Sequence, residues 1–221
     1  MTLYLDTETT GLSPAKGDAI VEVAIVDGRG RPVLDTLVNP GRSIPWQASK
    51  IHGITDDMVR GKPTLAQLLP RVLEIIESEQ VIIYNARFDA PFFPGELSQA
   101  LIVECAMIRF ADVHGGRWQK LDVAAEHVGH RWTGAAHRAL ADAQACRSVW
   151  NWLVERGHAT NRADRKVREE SARRAADVER TAGGMIVIRC PECQRRLRVP
   201  GGGRRLDVKC PDCRRVFRVE T

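Results

Sequence analysis

The sequence predicts an α/β fold: a three-layer domain built on a mixed sheet, followed by a small second module. Three observations predict it. Apolar, strand-like runs come first and then alternate with helical patterns. A highly charged segment without Gly or Pro follows at 161–181. Beyond it, RCPECQRRLRV (189–199) and KCPDCRRVFRV (209–219) repeat at a 20-residue offset.

Taken in order, the first strand covers Leu3–Glu8 and the second Ile20–Asp27, which turns at Gly28-Arg29-Gly30. A third, Val33–Val38, closes a hairpin-like meander. Irregular chain runs through IPWQASKIHGIT, and Asp56 and Asp57 cap a short helix. Thr64–Leu69 reads as a helical turn. Pro70 then opens a helix to about Ser78, at the position where its missing N–H costs nothing. VIIYNA (81–86) is largely apolar, the pattern of a strand buried on both faces. A helix over Pro91–Ala100 and a strand over Leu101–Glu104 come next. A long helix covers His137 to Arg156, with Leu140, Ala143, Cys146, Trp150, Leu153 and Val154 recurring on one face. In the charged segment, Glu169–Arg173 and Glu170–Arg174 are favourable i,i+4 pairs, predicting a solvated linker helix that Gly183-Gly184 ends. The expected domains are therefore 1–156, a linker at 157–183 and a compact unit at 184–221.

The 221 residues are 43% hydrophobic and 28% charged, the composition of a globular protein. No apolar run approaches the length that spans a bilayer, and no basic stretch precedes an apolar one at the N-terminus. The expectation is a cytoplasmic protein with no membrane partner. Residues 1–155 carry 15 Lys and Arg against 19 Asp and Glu, a net −4, whereas residues 156–221 carry 18 against 9, a net +9. A basic tail on an acidic body fits a polyanion partner and fits a solvated tail equally well.

Asp6 and Glu8 stand two residues apart on the first strand and so share one face. Adjacent carboxylates raise each other's pKa unless a cation lies between them, and hard divalent ions such as Mg²⁺ or Mn²⁺ take such oxygen ligands. A DxE pair at a strand end that merely reaches solvent has the same sequence. Two further acids sharpen the choice: Asp89 follows the buried strand, and Asp142 lies in the first turns of the long helix. Four converging acids would carry a charge that two divalent ions neutralise, the arrangement of two-metal phosphodiester hydrolysis. His137 precedes Asp142 by five residues, roughly 140° apart on a helix, so it is expected on the loop just before the helix. From there its ring would take a proton from an attacking water.

DTETTGL, IHGIT, NARFD and HRALAD, in this order and spacing, resemble the DEDDh 3′–5′ exonucleases over residues 1–155. That family includes the epsilon proofreading subunit of bacterial DNA polymerase III and several stand-alone nucleases. The resemblance implies a ribonuclease H-like fold, a five-stranded mixed sheet flanked by helices. It implies Asp6, Glu8, Asp89 and Asp142 as ligands of two Mg²⁺ or Mn²⁺ ions and His137 as general base. It further implies that Thr9 contacts the terminal 3′-hydroxyl, that Leu12 wedges beside the last base, and that His52 and Ile54 line the terminal-nucleotide pocket. The implied activity releases nucleoside monophosphates from the 3′ ends of DNA, single-stranded ends first, with a DNA polymerase or repair complex as a further partner. An exoribonuclease of the same family and a nucleic-acid- or polymerase-docking adaptor are the alternatives. Two departures bear on substrate preference: Tyr84 stands where the family often has His, and ECAMIRFADV (104–113) lacks the Asp-Thr pair of many members.

Cys190, Cys193, Cys210 and Cys213 form a C-x₂-C-x₁₆-C-x₂-C pattern in which each pair supplies half of a tetrahedral zinc site. Four protein ligands close the shell, so one structural Zn²⁺ is expected. So small a unit buries little core, and the ion supplies most of its stability. The segment resembles small bacterial zinc-ribbon modules. Its many arginines suit phosphate contacts, and a protein-docking ribbon would look the same. Cys105 and Cys146 are isolated and read as small buried fillers.

Overall fold

A computed structural model describes residues 1–93, 95–134, 137–161, 179–180, 185–193, 195–201 and 205–220. The chain divides into two compact units, Met1–Arg162 and Ala163–Thr221.

In the first unit, β1 (Thr2–Thr9), β2 (Ile20–Val26) and β3 (Pro32–Leu37) form an antiparallel meander. β4 (Gln80–Ile83) and β5 (Ile102–Cys105) continue it in parallel, giving the mixed sheet β3-β2-β1-β4-β5. The helices are α1 (Trp46–His52), α2 (Asp56–Val59), α3 (Leu65–Ile76), α4 (Ala86–Asp89), α5 (Ala106–Val113), α6 (Leu121–His127) and α7 (Ala139–Glu155). Strand alternation sorts the core into two layers. Leu3, Leu5, Val23, Ile25, Val81 and Ile83 pack with Leu68, Val72 and Ile76 of α3. Tyr4, Val26 and Ile82 pack on the opposite face with Cys146, Val149, Trp150 and Leu153 of α7 and with Phe110 of α5. Tyr4 thus faces α7, and so do Asp6 and Glu8 two and four residues on.

The length of β4 creates the crevice. β1 pairs with β4 only over Thr2–Tyr4, because β4 stops at Ile83 while β1 runs on to Thr9. The chain turns away at Asn85, and the β4-side edge of β1 opens from Leu5 onward. A buried strand reaching residue 86 is the expectation; a turn at Tyr84 and Asn85 and then the start of α4 replace its last residues.

Other elements also depart from expectation. The irregular stretch after Ile44 contains α1, whose C-cap Gly53 has φ +73°. Thr55, not an aspartate, occupies the N-cap of α2, and Asp56 instead accepts the Ile44 N–H at 2.8 Å. The turn at Thr64 and the helix after it are one helix, α3, begun by a reciprocal capping box between Thr64 and Gln67, so Pro70 lies inside it. No single helix spans 91–100; two 3₁₀ turns, Ala90–Phe92 and Glu96–Gln99, flank a break at Gly95, which has φ +88°. α5 and α6, each only about two turns long, are helices that the sequence reading did not anticipate. The long helix starts at Ala139 with Arg138 as N-cap, leaving His137 in the preceding loop. Most of the expected linker helix lies outside the described residues. Glu179–Arg180, at its end, form a short strand (β6) and not helix.

In the second unit β6 pairs with β7 (Met185–Arg189), which pairs with β8 (Arg196–Pro200), and β9 (Arg205–Lys209) pairs with β10 (Val216–Glu220), all antiparallel. A small core of Ile188, Val199 and Val219 joins the two ribbons, with Leu197, Leu206, Val208 and Phe217 against it. Among the described residues no helix is long and apolar enough to cross a membrane.

Pro70 is exposed and denies α3 one backbone bond, to the carbonyl four residues earlier. Pro70→Ala is expected to stabilise the first unit by about 1 kcal/mol or more, read as a raised denaturation midpoint.

Candidate active site

The crevice at the end of β1 opens into a cavity of about 470 Å³ whose lining includes Asp6, Glu8, Asp89, His137 and Asp142. β1 delivers Asp6 and Glu8 toward α7, α4 delivers Asp89, and the first turn of α7 delivers Asp142. One carboxylate oxygen from each of Asp6, Glu8 and Asp142 lies within 4.8 Å of the others, a set that could hold a metal ion. Asp89 stands at the same cavity but accepts a hydrogen bond from the Thr7 hydroxyl at 2.6 Å. Thr7 faces the opposite side of the strand, so this bond ties α4 over the sheet edge.

The cluster is electrostatically strained. Burial first, and then the neighbouring Asp89, Asp142, Glu8 and Glu22, push the Asp6 carboxyl well above its ordinary range. Glu8 is pushed up to about 8 by burial and then by Asp142 and Glu22, with Arg138 opposing. Asp142 rises to about 6 through burial, against the pull of His137. Asp89 rises to about 6 through burial, against hydrogen bonds from Thr7. Four carboxyls whose proton affinity is raised by burial are gathered in one cavity, and three of them form a donor set that could hold a metal ion.

Glu22 holds the frame and was not singled out in the sequence. It sits directly opposite Glu8 in the β1–β2 register, an unfavourable like-charge pair. Glu22 is buried, and Arg138 answers it with its Nε donating to both carboxylate oxygens at 3.1 Å. The Ala139 N–H also donates to Glu22, at 2.8 Å, so the glutamate caps the start of α7 from the sheet. His137, next to this clamp, adopts φ +62°, a strained conformation for a non-glycine residue, and its N–H donates to Asp142 at 3.3 Å. The available signal was a lone acid within the apolar run IVEVAIV.

The four residues expected around a terminal nucleotide lie apart from the cavity lining. Thr9 is buried at the end of β1, and its hydroxyl donates to the Gly11 carbonyl at 2.7 Å. A Cβ on Gly11 would stand 2.5 Å from the Asp18 carboxylate, so a larger residue there would have to displace the Asp18 side chain from its bond to the Ser13 N–H. Leu12 projects into solvent, 84% exposed. His52 is buried on the β2 side; burial pushes its pKa down while the Thr9 backbone opposes, and its Nδ1 accepts the Ile54 N–H at 3.0 Å. The Ile54 side chain is fully buried with Val21, Ile44 and Val59. Its backbone N–H is the group that meets His52.

In the second unit, Cys190, Cys193, Cys210 and Cys213 bring their sulfurs within 4.8 Å of one another, with Cys190–Cys213 and Cys193–Cys210 at 3.5 Å. Sulfurs around a tetrahedral zinc at 2.3 Å lie about 3.8 Å apart, so the donor set fits a metal. The two halves mirror each other. Cys190 N–H donates to the Arg195 carbonyl at 2.9 Å and Cys210 N–H to the Arg215 carbonyl at 2.8 Å. Arg195 pairs with Asp212 across the repeat, and Arg215 with Glu192. Cys146 is a buried filler as expected, whereas Cys105 is half-buried and donates to the Tyr84 carbonyl.

A protein-family model described as "Exonuclease" (RNase_T) matches residues 3–149. The exonuclease CP81 of Escherichia phage 186 is 36% identical over 182 residues, covering 71% of this chain and 90% of that protein. The DNA polymerase III subunit epsilon of Treponema pallidum is 33% identical over 175 residues, covering 72% of this chain and 80% of its own length. The structure of Exonuclease X in complex with 5′ overhanging duplex DNA superposes with a TM-score of 0.60 at 28% identity, over 72% of this chain and 95% of that one.

The raised pKa values carry a sign for stability. These carboxyls hold protons more tightly folded than unfolded, so their contribution is full below about pH 4. It is lost as pH rises through about 6 for Asp89 and Asp142 and about 8 for Glu8. In metal-free protein, Glu8→Gln should therefore melt higher than the parent at pH 8, and after the chelator is dialysed away it should gain less on adding Mg²⁺. A scanning-calorimetry series from pH 5 to pH 9 checks both.

Proposed function

The chain belongs to the exonuclease family, and from that premise we propose that it is a metal-dependent 3′–5′ exonuclease that releases nucleoside monophosphates from DNA. One observation carries the reading: the carboxylates of Asp6, Glu8 and Asp142 gather in a cavity that Asp89 and His137 also line.

In this reading Asp6, Glu8, Asp89 and Asp142 hold two Mg²⁺ or Mn²⁺ ions. When bound, such ions neutralise the carboxylates and act as Lewis acids toward the phosphodiester. His137, held beside Asp142, takes a proton from the attacking water. Thr9 and Leu12 meet the terminal nucleotide, and His52 supports them from the β2 side. Glu22 and Arg138 position His137 and Asp142 and touch no reacting atom. The stacked chemistry of an acidic cleft and a polyanionic substrate makes cation loading a condition of binding as well as of turnover.

Single-stranded 3′ ends of DNA are the proposed substrate, and an exoribonuclease activity is the second reading, since the site residues address phosphate and base without excluding a 2′-hydroxyl. The family's epsilon members make a polymerase complex the natural protein partner to seek. In the second unit, one structural Zn²⁺ on the four cysteines fits their spacing. Its role is to hold nucleic acid near the nuclease, although Arg195, Arg205, Arg215 and Arg218 are engaged in ion pairs and contribute less to that field.

Asp6→Ala should abolish digestion of a labelled single-stranded oligonucleotide, and His137→Ala should slow it by roughly 10²–10⁴-fold. Digestion by Asp6→Ala at the parent rate would end the assignment. Deleting residues 184–221 should weaken nucleic-acid binding and flatten its salt dependence; an unchanged slope in a filter-binding titration would assign the ribbon another task.

A further inference from the structure

We propose that Trp118 is a stacking platform for an unpaired base of the substrate strand, the base on the 5′ side of the scissile phosphate. The proposal rests on the exonuclease reading above. Trp118 lies in the loop GGRWQK between α5 and α6. It is 68% exposed yet lines the cavity that the four acids line. Trp132 and Lys120 line the same cavity, so aromatic and cationic groups border an acidic centre. That combination grips single strands: rings take base faces and ammonium groups take phosphates. Trp46, equally open to solvent, differs, because it stands outside the cavity lining and Lys50 covers its ring at 5.5 Å.

The loop is built to hold its place. Gly115 and Gly116, at φ +69° and +79°, turn the chain sharply after α5. At the near end, His114 stacks on Phe110 with ring centres 4.1 Å apart, and its Nε2 lies 3.3 Å from that of His127 on α6. At the far end, the buried Tyr84 hydroxyl donates to the Gln119 carbonyl at 2.9 Å, with the Lys120 carbonyl at 3.2 Å. Tyr84 is thus a positioning residue for the loop. Trp132 is steadied by His130, edge-on at 5.0 Å, which bonds to Ser148 at 2.8 Å.

Strand order sets which base is met. Thr9 pairs with Ile20 of β2, and His52 lies with α1 against the β2–β3 side. Tyr84 and the Trp118 loop stand on the β4–β5 side, and the acids of β1 lie between. With the terminal nucleoside at Thr9 and the scissile phosphate at the acids, the next nucleotide falls toward Trp118. An unpaired base is free to leave its own stack for the indole; a paired one is not. The platform therefore selects single-stranded or frayed 3′ ends.

Steady-state kinetics of the full-length protein on a short oligothymidylate test this. Trp118→Ala should raise KM on the order of ten-fold with kcat within two-fold, and Trp118→Phe should restore most of the loss. Tyr84→Phe should raise KM in the same direction by less. A KM for Trp118→Ala within two-fold of the parent, in protein whose circular dichroism is unchanged, overturns the proposal. A loss confined to kcat overturns it as well. The parent's own cleavage of the oligomer and of the nitrophenyl ester of thymidine 5′-monophosphate separates the two readings: if the parent cleaves neither, the exonuclease assignment fails, whereas a cleaving parent with an indifferent Trp118 variant removes the platform alone.

Discussion

Like charge held at close quarters governs the first unit. Asp6, Glu8, Glu22 and Asp142 face one another where β1, β2 and α7 meet, and the Arg138 guanidinium answers Glu22. Burial raises the cost of ionising each member. The surrounding fold is what keeps the groups together against that cost: two apolar layers, one under α3 and one under α7, anchor β1 along its first half. The second half of the strand is then free to carry chemistry in place of core. The premature end of β4 opens the space and the register of β2 supplies the brace, so the sheet does architectural and functional work along a single strand.

Much of this was legible from residues alone. Alternation along a strand put Asp6 and Glu8 on one face, and the spacing of His137 from Asp142 put the histidine off the helix, where φ +62° now finds it. Glu22 was not legible as a brace, because its meaning depends on Arg138, 116 residues away, and no local pattern connects them. Trp118 escaped for a similar reason: its loop meets the acids' cavity only once α5 packs on α7 and Tyr84, far away in sequence, bonds to Gln119. Pro70 misled because the proline rule for helix starts competed with a capping box six residues earlier, and the box won. The burial of Ile54 with Val21, Ile44 and Val59 was not legible either, since those residues are brought together only by the fold.

The second unit solves a different problem with the same economy. Too small for a deep core, it repeats one turn twice and lets each half complete the other. Each CPxC turn closes with an identical backbone bond, each half lends an acid to the other's arginine, and three aliphatic side chains fill the seam. The four sulfurs gather where the two CPxC turns meet.

The brace between Glu22 and the start of α7 decides which element sets the geometry of the centre. Because a buried carboxylate grips both the Arg138 side chain and the Ala139 amide, the start of α7 is fixed to the sheet at β2. Asp142, in the first turn of that helix, is thereby referenced to β2 as well as to β1, so the spacing of the carboxylates is set by the sheet and not by the loop that precedes α7.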